Sequence, residues 1–207
     1  MNNTEFRTGV IRPVECVKEG FELIKPDYWL LFAIGFLGAI IGGVTFYILF
    51  GCMMCGIFYA YLRRIDGFPA SLDDLWKGFS WFGASLPVLL AIVVPIIVVY
   101  AIIYVPFVMA MVMGQRMSED ELMAFLVGVA IVDFIFIAIM VCFHTLLMFS
   151  FPLIVDRNLG GFKAMAMSAR AVWKNLGGVV GLVAVNMGLV FVGYLALCIG
   201  VYFVIPI

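Results

Sequence analysis

Of 207 residues, 66% are hydrophobic and 12% charged, against about 45–50% and roughly 25% in ordinary soluble domains. The formal net charge is −1 and no basic stripe stands beside stacking aromatics, which excludes a nucleic-acid binder. A chain this apolar needs lipid as solvent over most of its length, so the expected class is an all-α integral membrane protein.

The opening residues, MNNTEFRTGVIRPVECVKEG, do not read as a signal peptide, because no apolar region follows a basic one. Over 12–26, Val14, Val17, Phe21 and Ile24 share one helical face and Glu15, Lys18, Glu22 and Lys25 the other. That spacing predicts an amphipathic helix with too few apolar residues to cross, lying in the headgroup plane. The apolar run 28–62 would be roughly 50 Å long as one helix, against a hydrocarbon core of about 30 Å. Gly42-Gly43 and Gly51 offer turn sites, so the run is expected to fold as a helical hairpin.

Next comes SLDDLWKGF, 71–79, where Ser71 can cap a helix and Asp74 answers from its third position. Leu72, Leu75, Trp76 and Phe79 would form the apolar stripe of a second interfacial helix. The runs 81–113 and 122–150 each read as a single crossing, separated by GQRMSEDE. A third interfacial helix is expected over 162–175, with Met165, Ala169, Val172 and Trp173 opposite Lys163, Arg170 and Lys174. Its basic face suits anionic headgroups. The last run, 176–207, is again long for one upright span. It reads as helices near 176–189 and 192–207 broken around Gly188 and Gly193, or else as one tilted helix. The sequence stops inside apolar residues with no polar flank, so the final helix is either truncated or ends at the opposite interface.

Charge orients these runs. With 28–62 crossing twice, Arg7, Arg12, Lys18, Lys25, Arg63, Arg64, Lys77, Arg157, Lys163, Arg170 and Lys174, eleven of the twelve basic residues, fall on one side. Under the positive-inside rule that side is cytoplasmic, as is the N-terminus. About six transmembrane helices are expected, with five as the alternative, in a bacterial inner membrane. An interfacial helix followed by a hydrophobic hairpin would then recur from near 14, 71 and 162, a pseudo-repeat of pattern.

Several residues invite chemical readings. Cys52-x-x-Cys55, with Met53 and Met54 between, has soft-metal or thiol-redox spacing, and Cys142, His144 and Met140 would have to converge on it to complete a metal site. Buried thiols acting as small hydrophobes are the structural alternative for the five cysteines. Met109, Met111 and Met113 point in different directions on a helix, so they form no relay. Asp133 stands in AFLVGVAIVDFIFIAIM, where a carboxylate costs several kcal/mol unless paired, protonated or wet. His144 shares its face about three turns on, and Asn186 and Thr145 are candidate neighbours. Asp156 is expected to pair with Arg157, Arg170 or Lys174 and lock the third interfacial helix to the bundle. Gly38-x-x-x-Gly42 and the group Gly177, Gly178 and Gly181 permit close helix approach, internally or between subunits. A single histidine rules out a multi-histidine centre within one subunit. No HExxH, GxSxG or phosphate-loop motif occurs, so no enzyme and no cofactor are expected.

FPLIVDRNLGGFKAMAMSARAVWKNLG, through Pro152, Asp156, Arg157, Gly160, Ala164, Ser168, Arg170 and Trp173, resembles the hallmark stretch of bacterial multi-pass membrane proteins of the DUF975 and BPSS1780-like groups, and of the membrane domain attached to some glycerophosphodiester phosphodiesterases. GCMMCGIFYAYLRRIDG, through Gly56, Tyr59, Tyr61, Leu62, Arg63, Arg64 and Gly67, is similar to the glycine-aromatic helix of the same proteins. The resemblance implies about six helices and a polar cytoplasmic end after the last one, which this sequence lacks, and it supplies no activity.

The expected function is therefore a non-catalytic accessory or structural subunit, with membrane lipids and either other membrane subunits or further copies of itself as partners and no nucleic acid. One alternative is a small transporter or lipid-handling protein using Asp133. The other is a soft-metal-binding membrane protein using Cys52, Cys55, Cys142 and His144.

Overall fold

A computed structural model describes residues 11–113 and 118–195. Every regular element among them is helical. In chain order these are α1 (Pro13–Ile24), α2 (Tyr28–Val44), α3 (Phe50–Ile65), α4 (Asp74–Lys77), α5 (Phe82–Met113), α6 (Glu119–Leu147), α7 (Ser150–Arg157), α8 (Gly161–Lys174) and α9 (Leu176–Leu195).

α3, the helix of GCMMCGIFYAYLRRI, is the hub. It packs against α2, against α4 with the 3-10 turn Gly78–Trp81 that follows, and against α5 and α7. Its residues are small on several faces, and Gly51, Cys52, Met53, Cys55, Gly56 and Ala60 are all buried. A side chain on Gly56 would run into the Leu75 carbonyl, and one on Gly78 into the Cys52 carbonyl. At this crossing backbone lies directly on backbone, which only glycine permits. One buried cluster, with Leu31, Ile34, Met53 and Leu75, joins α3 to α2 and α4. A second, with Cys55, Val88, Phe151, Ile154 and Ala164, joins it to α5, α7 and α8.

α2 and α3 form the expected hairpin, but the chain turns at 45–49 and not at the glycines. Gly42 is needed elsewhere: a Cβ there would sit 2.9 Å from the Phe50 ring, so the glycine lets the two helices close on each other. Thr45 ends α2 by donating its hydroxyl to the Ile41 carbonyl at 2.8 Å, and Phe46 and Tyr47 make the reversal with φ of 50° and 64°.

Three helical stretches are long and apolar enough to cross a membrane: Pro13–Val44, Asp74–Val112 and Glu119–Arg157. The number rises to four if α8 and α9, bent by 95° at their junction, count as one span. No residue of the most apolar window of Glu119–Arg157 is fully buried in the protein, so lipid is its natural solvent. The protein is a multi-span helical membrane protein. The 17 residues of α2 and the 16 of α3 reach only about 25 Å each, so this hairpin is shorter than the hydrocarbon core.

One expectation is corrected. The last run does not break at Gly188 or Gly193, because α9 is one continuous helix from Leu176 to Leu195; glycine is tolerated inside membrane helices, where backbone bonds have no water to compete with them. The second helix expected over 192–207 lies, from residue 196 onward, outside the described residues. The stripe of α8 that packs on the bundle differs from its expected apolar face. Gly161, Ala164, Ser168 and Val172 are buried while Trp173 is 72% exposed, because Gly161 lies against the Ala84 carbonyl and sets the register.

Candidate functional site

Two carboxylates in apolar surroundings are treated differently by the fold. The first is Asp74, whose side chain is 2% exposed beneath α3. Arg63 Nη1 donates to its Oδ1 at 2.7 Å and the Ser71 amide donates to its Oδ2 at 2.8 Å. Beside this pair, Arg64 reaches Asp27 Oδ2 at 3.3 Å and the Leu23 carbonyl at 3.2 Å. The double arginine at the end of α3 thus ties both the amphipathic α1 and the short α4 to the bundle. Sequence reading cast Asp74 as a helix cap and missed its burial. The signal was the glycine pair, Gly56 and Gly78, which brings α4 onto α3.

The second is Asp133, midway along α6. It lines an open-sided pocket of about 410 Å³ between α5 and α6, together with Ile102, Pro106, Phe125, Gly128 and Val132. Among the described residues, its Oδ1 is one of two buried side-chain polar atoms without a hydrogen-bond partner, the other being Ser150 Oγ. α5 contributes a carbonyl that has lost its usual donor. Pro106 lies inside the helix and has no N–H, so the Ile102 carbonyl four residues earlier loses its usual donor. Both residues line the pocket. An acceptor-only carboxylate and a freed carbonyl in an apolar wall call for a positive charge or an N–H or O–H donor.

His144 also faces α5. Its Nδ1 lies 2.8 Å from the Met140 carbonyl and its Nε2 3.3 Å from the Ile92 carbonyl, close to Pro95, a second proline inside α5. A neutral ring has one N–H and donates to one of them. Asp133 and His144 therefore lie along the same α5–α6 seam, and the contacts of His144 are to backbone carbonyls. Thr145 donates to the Val141 carbonyl at 2.7 Å, and Asn186 is exposed on α9.

Cys142 does not join Cys52 and Cys55. Cys52 and Cys55 are buried on α3, in different clusters, while Cys142 is exposed on α6. No group of three or more His, Cys, Asp or Glu suited to a metal ion lies among the described residues. The convergence of Cys52, Cys55, Cys142 and His144 that a soft-metal centre requires is not what this fold builds, because α3 is enclosed by α2, α4 and α7 and Cys142 faces away.

Of the anchoring residues, Asp156 pairs with its neighbour Arg157 at 3.4 Å, both half-exposed. Lys163, Arg170 and Lys174 are exposed along α8. α8 is held instead by Ser168, whose buried hydroxyl donates to the Leu146 carbonyl at 2.6 Å and accepts from the Phe149 amide at 3.2 Å. The glycines divide. Gly38 packs on Ile57 and Leu75, Gly178 on Ile11 and Gly181 on Pro13, whereas Gly177 faces open space. Compared with protein-family profiles, curated proteins and solved structures, the chain has no match.

Proposed function

We propose that this is a small transporter or lipid-handling membrane protein whose handled molecule is contacted by Asp133. The carrying observation is the buried, unpartnered Asp133 Oδ1 in an apolar, open-sided pocket beside the carbonyl that Pro106 frees. A pocket of about 410 Å³ falls in the range of ligand sites, roughly 300–1,000 Å³. Its lining favours an apolar molecule carrying a positive charge or a hydrogen-bond donor. The accessory-subunit reading leaned on glycine faces, and Gly38, Gly42, Gly178 and Gly181 have neighbours within the chain.

The topology that goes with this reading has a cytoplasmic N-terminus. α2, α3, α5, α6 and α9 make five crossings, the first two short, and the basic segments before α2 and after α3 and α7 lie on the cytoplasmic face. Kinship with the bacterial multi-pass groups that the two quoted motifs resemble is part of the same proposal.

The test is purification of the full chain in lipid nanodiscs, with mass spectrometry of everything retained. A small molecule or specific lipid held by the wild type and lost in Asp133→Asn supports the reading. Other protein subunits in fixed stoichiometry, with no small molecule sensitive to Asp133→Asn, would replace it with the accessory-subunit function.

A further inference from the structure

Asp133 is the central residue of α6, about 21 Å from either end of the helix. From Leu122 to Met140 it is the only charged residue of α6, and α5 carries none along its whole length. On the same stretches Val105 of α5 and Val127, Ile131 and Val132 of α6 are apolar and exposed. The pocket thus opens among side chains suited to lipid, with no charged residue leading to it from water along either helix.

The rest of the lining decides what the carboxylate can receive. No other lining residue carries a charge or a side-chain N–H or O–H, so nothing there answers an anion. The Ile102 carbonyl is a second acceptor on the facing helix, and the Phe125 ring offers a π face. A neutral donor would satisfy Oδ1 and still leave a negative charge in hydrocarbon. A cation offsets that charge as well.

We infer that the α5–α6 pocket is a binding site for a lipophilic organic cation, which enters from the acyl chains and is held by Asp133, its apolar groups against Pro106, Phe125 and Val132. The inference rests on the reading of Asp133 as the contact residue, and it narrows the handled molecule to one class.

The test uses the full chain in phosphatidylcholine nanodiscs, with empty nanodiscs as the blank for partition into lipid. Two probes of similar shape are titrated by equilibrium dialysis. Tetraphenylphosphonium has a charge and no hydrogen-bond donor; triphenylmethanol has a donor and no charge. Tetraphenylphosphonium should bind saturably, and triphenylmethanol no better than the blank. Asp133→Asn should weaken tetraphenylphosphonium roughly ten-fold or more, as loss of a buried charge partner does. Glu119→Gln, at the exposed start of α6, should leave it unchanged. Triphenylmethanol binding as tightly as tetraphenylphosphonium, or alone, overturns the cation class, while dependence of that binding on Asp133 would keep Asp133 as the contact residue. Saturable binding of neither probe also overturns the cation class, and retention of other molecules in nanodiscs then decides the Asp133 reading separately. An equal loss in Glu119→Gln marks a diffuse charge effect and overturns the site. The comparison of the two probes needs no variant and stands if Asp133→Asn fails to fold.

Discussion

Replacing Arg63 by alanine removes the main partner of Asp74 and leaves its carboxylate buried with the Ser71 amide alone. Breaking a buried ion pair from one side costs about 3–5 kcal/mol, because an uncompensated charge stays behind. Arg63 keeps 34% of its side chain exposed while Asp74 keeps 2%, so the lower end applies, about 3 kcal/mol or roughly a hundredfold in the folding equilibrium. The reverse change, Asp74→Ala, should cost less, since the arginine left behind still reaches water. The double replacement Arg63→Met with Asp74→Leu should recover most of the loss, since apolar pairs substitute well for buried ion pairs. Unfolding in mixed micelles, followed by the fluorescence of Trp76 and Trp81 on either side of Gly78, measures all three. A cost below about 1 kcal/mol for Arg63→Ala, the range of exposed pairs, would refute the reasoning, as would a double variant as unstable as the sum of the single ones.

Gly78→Ala should destabilise by at least about 1–3 kcal/mol, because its methyl would overlap the Cys52 carbonyl and backbone cannot yield as a side chain does. Gly83→Ala, where the added methyl meets nothing within 4 Å, should be neutral or slightly stabilising in the same unfolding assay. At the start of α6 the Ser118 amide and hydroxyl donate to Glu121 at 2.9 and 3.0 Å, and these bonds hold its carboxyl below the usual 4.5. A carboxyl whose folded value is depressed adds stability that is fully present above its unfolded value and is lost as pH falls through the folded one. The first turn of α6 should therefore loosen as pH drops below about 4.5. Hydrogen exchange at Ser118–Leu122 checks this against Glu121→Gln, which keeps the capping bond without the charge; identical pH profiles for the two would show that the carboxylate plays no part.

Much of the helical layout is legible in the sequence because hydropathy is a property of runs. The apolar stretches beginning at 28, 81, 122 and 176 contain α2 with α3, α5, most of α6, and α9. The turn at 45–49 and the buried stripe of α8 are not legible there, and the reason is the same in both places. Each depends on where a particular glycine touches another backbone: Gly42 on Phe50, Gly161 on Ala84. Glycine spacing shows that close approach is allowed, not which partner arrives. The α2–α3 hairpin is short for two crossings because five residues between its helices go to the turn.

The two aspartates carry the same lesson into function. From the sequence Asp133 was conspicuous, a lone acid in an apolar helix, and Asp74 was one of several charges in a short polar stretch. In the fold Asp74 is the more deeply buried, but α3 and α4 meet it with a guanidinium and an amide, so its charge is absorbed by structure. Among the described residues Asp133 receives no such answer at Oδ1, and Pro106 within α5 takes away the usual donor of the nearby Ile102 carbonyl. A helix pair under no other demand would replace such a carboxylate with leucine and gain stability, since an intramembrane acid costs several kcal/mol. Among the described residues nothing offsets that cost at Oδ1, and in the proposed reading a proton or a cationic or donor-bearing molecule does so. That difference between a satisfied and an unsatisfied carboxylate sets the α5–α6 seam apart from the better-built Arg63–Asp74 pair.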